Sequence, residues 1–263
     1  MKNSMESSAV NKAREQGKLF GLGIGPGDPG LLTIKALKVL ENSDVLLIPK
    51  ARPNSQSLAY EIVQAAFSNY SHVDKLPPTK ELIFPMIRDK EELAAYWDRA
   101  MNLVVNEVTA DKQVSLITLG DPTLYSTYSY LLTRLNKEYP NCSVETIPGI
   151  YSFSAISSRL NLPLTMGEEK MIIIPVEENK DYTQELNNYN TVIFMKVSSD
   201  FQNLLQQLKA ADREKEAILI SRLGQEKEYI TKNLEELRGT KIDYFSTLIV
   251  NSRIPLVGDN FER

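Results

Sequence analysis

Short apolar runs alternate along the first half of the chain with stretches whose apolar residues recur at three- and four-residue spacing. The runs suit buried strands and the spaced stretches suit amphipathic helices. This pattern predicts strands over 19–24, 44–48, 82–84, 114–119 and 143–147, and helices over 31–40, 55–67 and 152–160. Two further helices are marked by their caps and faces. Asp89, with Glu92 in capping-box position, starts one that carries Leu93, Trp97, Ala100 and Val104 on a single face. Pro122 starts another, which carries Leu124, Tyr128, Leu131, Leu132 and Leu135. Regular alternation of strand and helix implies a mainly parallel sheet.

After Leu162-Pro163-Leu164 the pattern restarts. Strands over 171–176, 191–197, 217–222, 228–231 and 244–251, with one helix over 200–210, read as a second and more antiparallel sheet. The fold class is therefore α/β: two α/β domains, the first with a mainly parallel sheet and the second with a mixed one. The boundary falls at 148–150, which gives domains over 17–148 and 149–263 behind a disordered tail over 1–16. A chain of this kind places its ligand cleft between the domains.

The first strand collapses into Gly21, Gly23, Gly25 and Gly27, followed by Asp28 and Pro29. Such a corner, at the carboxyl end of a parallel sheet, is a place where a ligand can approach the main chain. Two familiar loops do not account for this stretch. Counted from Gly21-x-Gly23 or from Gly23-x-Gly25, the third glycine of a dinucleotide fingerprint falls at Pro26 or Asp28, and the acidic residue expected after the second strand is missing, since 44–48 runs into Pro49 and Lys50. A P-loop ends in Gly-Lys-Ser/Thr, which is missing here. Asp28, as a cap, also puts a carboxylate where a helix dipole would otherwise draw a phosphate. Gly120-Asp-Pro122 repeats the device after the fourth strand, and Ile147-Pro-Gly-Ile150 adds a third turn.

Composition narrows the function classes. A net charge of -4 offers no broad basic field, so nucleic acid is not expected as a partner. One cysteine (Cys142) and one histidine (His72) leave no internal disulfide and no metal-ligand cluster, so no protein-bound metal is expected. No apolar run approaches membrane-spanning length, and residues 1–16 lack a signal peptide's apolar core. The expected location is the cytoplasm, away from membranes.

With these landmarks placed, the chain resembles the tetrapyrrole methylase family, the class III S-adenosylmethionine-dependent methyltransferases. The pieces that carry the resemblance are Gly21-Leu-Gly-Ile-Gly-Pro-Gly-Asp-Pro29, Leu119-Gly-Asp-Pro122, Pro148-Gly-Ile150, Phe194-Met-Lys196 and Arg222-Leu-Gly224, in the family's order. Gly120-Asp-Pro-Thr-Leu-Tyr-Ser-Thr127 and Pro148-Gly-Ile-Tyr-Ser-Phe-Ser154 are most similar to the branch that methylates precorrin-2 or cobalt-factor II at C(20). The resemblance implies a homodimer, a tetrapyrrole substrate, and S-adenosylmethionine as methyl donor in the interdomain cleft. It assigns donor contacts to Pro26, Leu119, Gly120 and Asp121, to Leu124, Ser126, Thr127 and Ser152, and to Met195 and Gly224 from the second domain.

Two residues are positional candidates for the base that removes the acceptor carbon's proton, Asp121 and Tyr125. Lys50, Arg52 and Arg88 follow strands and are candidates for holding substrate carboxylates. Two other functions compete: methylation of another tetrapyrrole position or of a non-tetrapyrrole substrate, and a nucleotide-binding regulatory module without catalysis.

Overall fold

The computed structural model describes residues 16–85, 87 and 89–258. The tail expected over 1–16 lies outside the described residues except for Gln16, and so does the candidate Arg88. Five strands, β1 (Lys18–Gly23), β2 (Val45–Lys50), β3 (Thr79–Ile83), β4 (Gln113–Thr118) and β5 (Ser143–Ile147), form one sheet in the order β3-β2-β4-β1-β5. Every pairing in it is parallel.

Alternation within the strands explains why helices cover both faces. Val45 and Leu47 of β2, with Val114 and Leu116 of β4, pack against α3 (Lys90–Thr109) and α4 (Thr127–Glu138) through Met101, Val104, Leu131 and Leu135. Leu46, Ile48 and Ile117 point the other way, onto α1 (Ile34–Glu41) and α2 (Leu58–Tyr70) through Leu40, Ile62 and Val63. Burying one such side chain is worth about 1.5–3 kcal/mol, against about 0–1 kcal/mol for an exposed ion pair. The apolar pattern therefore decides the architecture.

The second sheet has the order β6-β7-β10-β8-β9, from β6 (Met171–Pro175), β7 (Thr191–Met195), β8 (Ala217–Ser221), β9 (Tyr229–Thr231) and β10 (Ser246–Asn251). Only β6 and β7 run parallel; the other pairings are antiparallel, so the sheet is mixed as expected. One face, with Val192, Phe194 and Leu248, is covered by α7 (Phe201–Ala210) and by the short α6 (Thr183–Asn188). The other face, with Ile193, Ile218 and Ile249, receives α5 (Ser152–Leu160). No helix among the described residues is long and apolar enough to cross a membrane.

Three helices begin later than their sequences suggest: α2 at Leu58 rather than 55, under its cap Ser57, and the two that follow Asp-Pro pairs. Asp28 caps only a short 3-10 turn over Pro29–Leu31, and α1 starts at Ile34 under its own cap, Thr33, whose hydroxyl accepts from Ala36 N at 3.1 Å. Likewise Pro122 does not start α4. Tyr125 adopts a left-handed conformation (φ +51°), which ends the preceding turn, and Ser126 caps a new helix from Thr127. Asp89 caps α3 as expected, accepting from Glu92 N at 2.8 Å.

Outside the site, Glu145 on β5 lies between Lys18 Nζ at 2.5 Å and Lys35 Nζ at 2.7 Å. The hydrogen bond from Lys18, then that from Lys35, pulls its carboxyl from 4.5 down to about 2. A carboxyl with a depressed folded-state pKa adds stability above its unfolded value and loses it as pH falls through the folded one. The melting temperature is therefore expected to drop between about pH 4.5 and about pH 2, and Glu145→Gln to flatten that part of the curve. Superimposable acid limbs in the two proteins would contradict this.

Candidate functional site

Strands β4, β1 and β5 are parallel neighbours, so the three turns that follow them meet at the carboxyl end of the sheet. Gly25 and Gly120 exchange backbone hydrogen bonds, Gly120 N to Gly25 O at 2.8 Å and Gly25 N to Gly120 O at 3.2 Å. A side chain on Gly23 would lie 2.5 Å from Gly149 N, so the first and third turns touch as well. The glycines of the first loop thus serve contact between loops more than contact with a ligand. Gly120 is different. It has a φ of +69°, and a Cβ there would meet only Ile150 O, at 3.9 Å, so the space beside it is open.

Asp121 ties the second turn to the third. Its side chain is only 5% exposed. One carboxylate oxygen accepts from Thr123 N at 2.8 Å and Thr123 Oγ1 at 2.5 Å, and the other from Gly149 N at 2.9 Å. The same Asx turn that places this carboxylate also carries the chain to Tyr125, whose hydroxyl donates to Ile173 O of β6 at 3.2 Å.

These turns form one side of a cavity of about 270 Å³; the second sheet and α5 form the other. Of the residues assigned to the donor, Pro26, Leu119, Gly120, Asp121, Leu124, Ser126, Thr127, Ser152 and Met195 all line it, as does Tyr125. Ser126 is also structural: its hydroxyl donates to Pro122 O at 2.5 Å and caps α4. Met195 Sδ accepts weak hydrogen bonds from Ser152 and Thr247 hydroxyls, each at 3.9 Å.

Gly224 does not line this cavity. It lies in a neighbouring groove against the first loop, where a side chain would come within 2.6 Å of Asp28 N. Its neighbour Leu223 does line the cavity, and Leu223 O would be 2.0 Å from a Cβ on Gly27. The loop after β8 is thus pressed directly onto the loop after β1. Lys50 and Arg52 are not on the cavity wall either. Lys50 Nζ is instead held by Glu81 at 2.5 Å, an ion pair between adjacent strands, and Arg52 is exposed in the turn after β2.

Several lining residues have no role assigned from the sequence, although Lys196 lies in one of the pieces that carry the resemblance. Tyr244, Phe245 and Thr247 arrive with β10, far along the chain, and Lys196 follows Met195 in a left-handed conformation (φ +55°). Among the described residues no three His, Cys, Asp or Glu side chains are grouped so as to hold a metal ion.

The family model for tetrapyrrole (corrin/porphyrin) methylases matches residues 18–238. Over 237 residues the chain is 37% identical to a probable cobalt-precorrin-2 C(20)-methyltransferase of Methanocaldococcus jannaschii, covering 89% of this chain and 95% of that protein. It is 32% identical over 240 residues to the cobalt-precorrin-2 C(20)-methyltransferase of Salmonella typhimurium, covering 90% and 97%. Its fold matches that of uroporphyrin-III C-methyltransferase from Thermus thermophilus, solved with S-adenosylhomocysteine, with a TM-score of 0.64 at 18% identity, covering 91% and 100%.

Proposed function

Because the chain belongs to the tetrapyrrole methylase family, we propose that it transfers a methyl group from S-adenosylmethionine to the C(20) meso carbon of precorrin-2 or cobalt-factor II, in cobalamin biosynthesis. The observation that carries this reading is identity to C(20)-methyltransferases across nearly the full length of both chains. Both of those relatives are named for the cobalt-bearing substrate, which favours that form here.

The cavity suits the donor chemically. Leu124, Ile220, Leu223 and Met195 give apolar walls, Ser152 and Thr127 offer hydroxyls, and Gly120 opens its backbone to the interior. When bound, S-adenosylmethionine supplies an electrophilic methyl group on a sulfonium. The chain's part is to hold donor and acceptor in line, and such orientation can remove roughly 7–11 kcal/mol of barrier. The apolar walls exclude water from a step in which charge disperses. The acceptor carbon must then lose a proton. Asp121 keeps one of about four lone-pair directions free, and Tyr125 uses its hydroxyl hydrogen on Ile173 O. Both remain candidates within this reading. A homodimer, a cytoplasmic location and a division of the chain at 148/149 belong to the same reading. The division is supported by the packing of α5 on the second sheet.

Titration calorimetry is expected to give about one S-adenosylhomocysteine per chain. Incubation with S-adenosylmethionine should add one methyl to the cobalt-bearing tetrapyrrole, and less readily to the metal-free one. The single histidine and single cysteine supply no ligand cluster, so chelators should leave turnover intact. Binding without methyl transfer to either tetrapyrrole would make the protein a nucleotide-binding module instead. Restoration of chelator-lost activity by a divalent ion would overturn the metal-free mechanism.

A further inference from the structure

The geometry points to Lys196 as the residue that binds a carboxylate of the acceptor at the mouth of the cavity, an inference that rests on the tetrapyrrole reading above. Lys196 is, among the described residues, the only Lys or Arg on the cavity wall. Among the described residues it has no ion-pair partner, whereas two other candidate cations are engaged: Lys50 by Glu81 at 2.5 Å and Arg222 by Asp243 at 2.7 Å. Its ammonium instead stands over the Tyr125 ring, 5.7 Å from the centroid. At an exposed site that contact is weak, so an anion that brings a full charge can displace it.

The backbone holds this cation in place. Lys196 has a φ of +55° at the end of β7, and Tyr125, facing it from the other sheet's turn, has a φ of +51°. A left-handed conformation is unfavourable for a side chain of either kind and persists where the surroundings fix it. Here Val197 is fully buried and the Tyr125 hydroxyl is tied to Ile173 O. The exposed part of the cavity wall also includes Tyr244, 52% exposed, and Tyr125, 42% exposed. Two exposed aromatic rings and one uncompensated cation suit a broad conjugated ring that carries acid side chains.

The donor also bears a carboxylate, so the ligand chemistry alone has two sources. Exposure favours the acceptor: the assigned donor contacts that line the cavity, including Leu124 and Met195 beside Tyr125 and Lys196, are buried or half-buried, whereas Lys196, Tyr125 and Tyr244 are exposed. The test uses Lys196→Met, which keeps an unbranched side chain without the charge, and Lys196→Arg, which keeps the charge. Binding of uroporphyrin, a stable polycarboxylate tetrapyrrole, is followed by its absorbance, and binding of S-adenosylhomocysteine by calorimetry. Lys196→Met is expected to weaken uroporphyrin and raise the acceptor KM by about tenfold, with kcat, melting temperature and S-adenosylhomocysteine affinity within twofold. Lys196→Arg should recover most of the loss, and added salt should shrink the difference between variants. Unchanged tetrapyrrole affinity in folded Lys196→Met would overturn the inference and leave the residue a contact between the two halves. Selective loss of S-adenosylhomocysteine affinity would overturn it in favour of the donor's carboxylate. If the wild-type protein bound no tetrapyrrole at all, the functional reading itself would fail first.

Discussion

Gly120→Val is expected to abolish S-adenosylhomocysteine binding while leaving the fold formed. The backbone at this position has a φ of +69°, a region that a β-branched residue occupies only under strain. Such strain costs on the order of 1–3 kcal/mol. A chain of ordinary stability, about 5–15 kcal/mol, survives that loss. The fold should also survive because the two hydrogen bonds to Gly25 use only the main chain, and a Cβ would approach no protein atom closer than 3.9 Å. The same open space is where the donor suffers. A branched side chain here projects into the cavity and takes up the space beside the backbone that the donor is expected to approach. At least a hundredfold loss of affinity, about 2.8 kcal/mol, is expected. Gly120→Ala should fall between wild type and valine. Calorimetry for binding, with a melting curve to show that the variant is folded, decides the matter. Near-normal binding by folded Gly120→Val would place the donor elsewhere.

The alternation of apolar runs and helical spacing carried most of the architecture, and β5 and α5 lie where the pattern put them. The errors at α1 and α4 share one cause. An Asp-Pro pair reads as a helix start, but in both turns the carboxylate accepts from the residue two positions on, Gly30 N at 2.8 Å and Thr123 N at 2.8 Å. That is an Asx turn, and Thr33 or Ser126 then caps the helix proper. The six residues of α6 were not foreseen, because so short a helix has no periodicity to read and depends on packing, here on buried Tyr182 and Leu186. At the site, the ordered motifs led to the cavity because they follow adjacent strand ends. Side-chain pairing was invisible: nothing in the letters shows that Lys50 is held by Glu81, or that Gly224 meets the first loop rather than the cavity.

Asp121→Asn is expected to lower both stability and turnover, and the structure says why the two should fall together. Were Asp121 only a helix cap, asparagine would serve nearly as well and the substitution would be almost silent. The carboxylate does more than cap. Its two oxygens accept from two separate backbone donors, Thr123 N at 2.8 Å and Gly149 N at 2.9 Å. An asparagine has one acceptor oxygen, so in either amide orientation an NH2 group faces one of those N–H groups. Leaving a buried donor without an acceptor costs about 1–3 kcal/mol. The Gly149 bond also positions the turn that leads into α5, which carries Ser152 on the opposite cavity wall. A wall displaced by an ångström can cost on the order of a hundredfold in rate, and that loss is expected for Asp121→Asn at saturating donor. The pH–rate profile separates positioning from proton acceptance. A positioning residue lowers kcat and weakens S-adenosylhomocysteine together without moving the profile, whereas a proton acceptor lowers kcat alone and removes its limb. Full turnover and an unchanged melting temperature in Asp121→Asn would show that neither bond matters and that Asp121 caps a turn and nothing else.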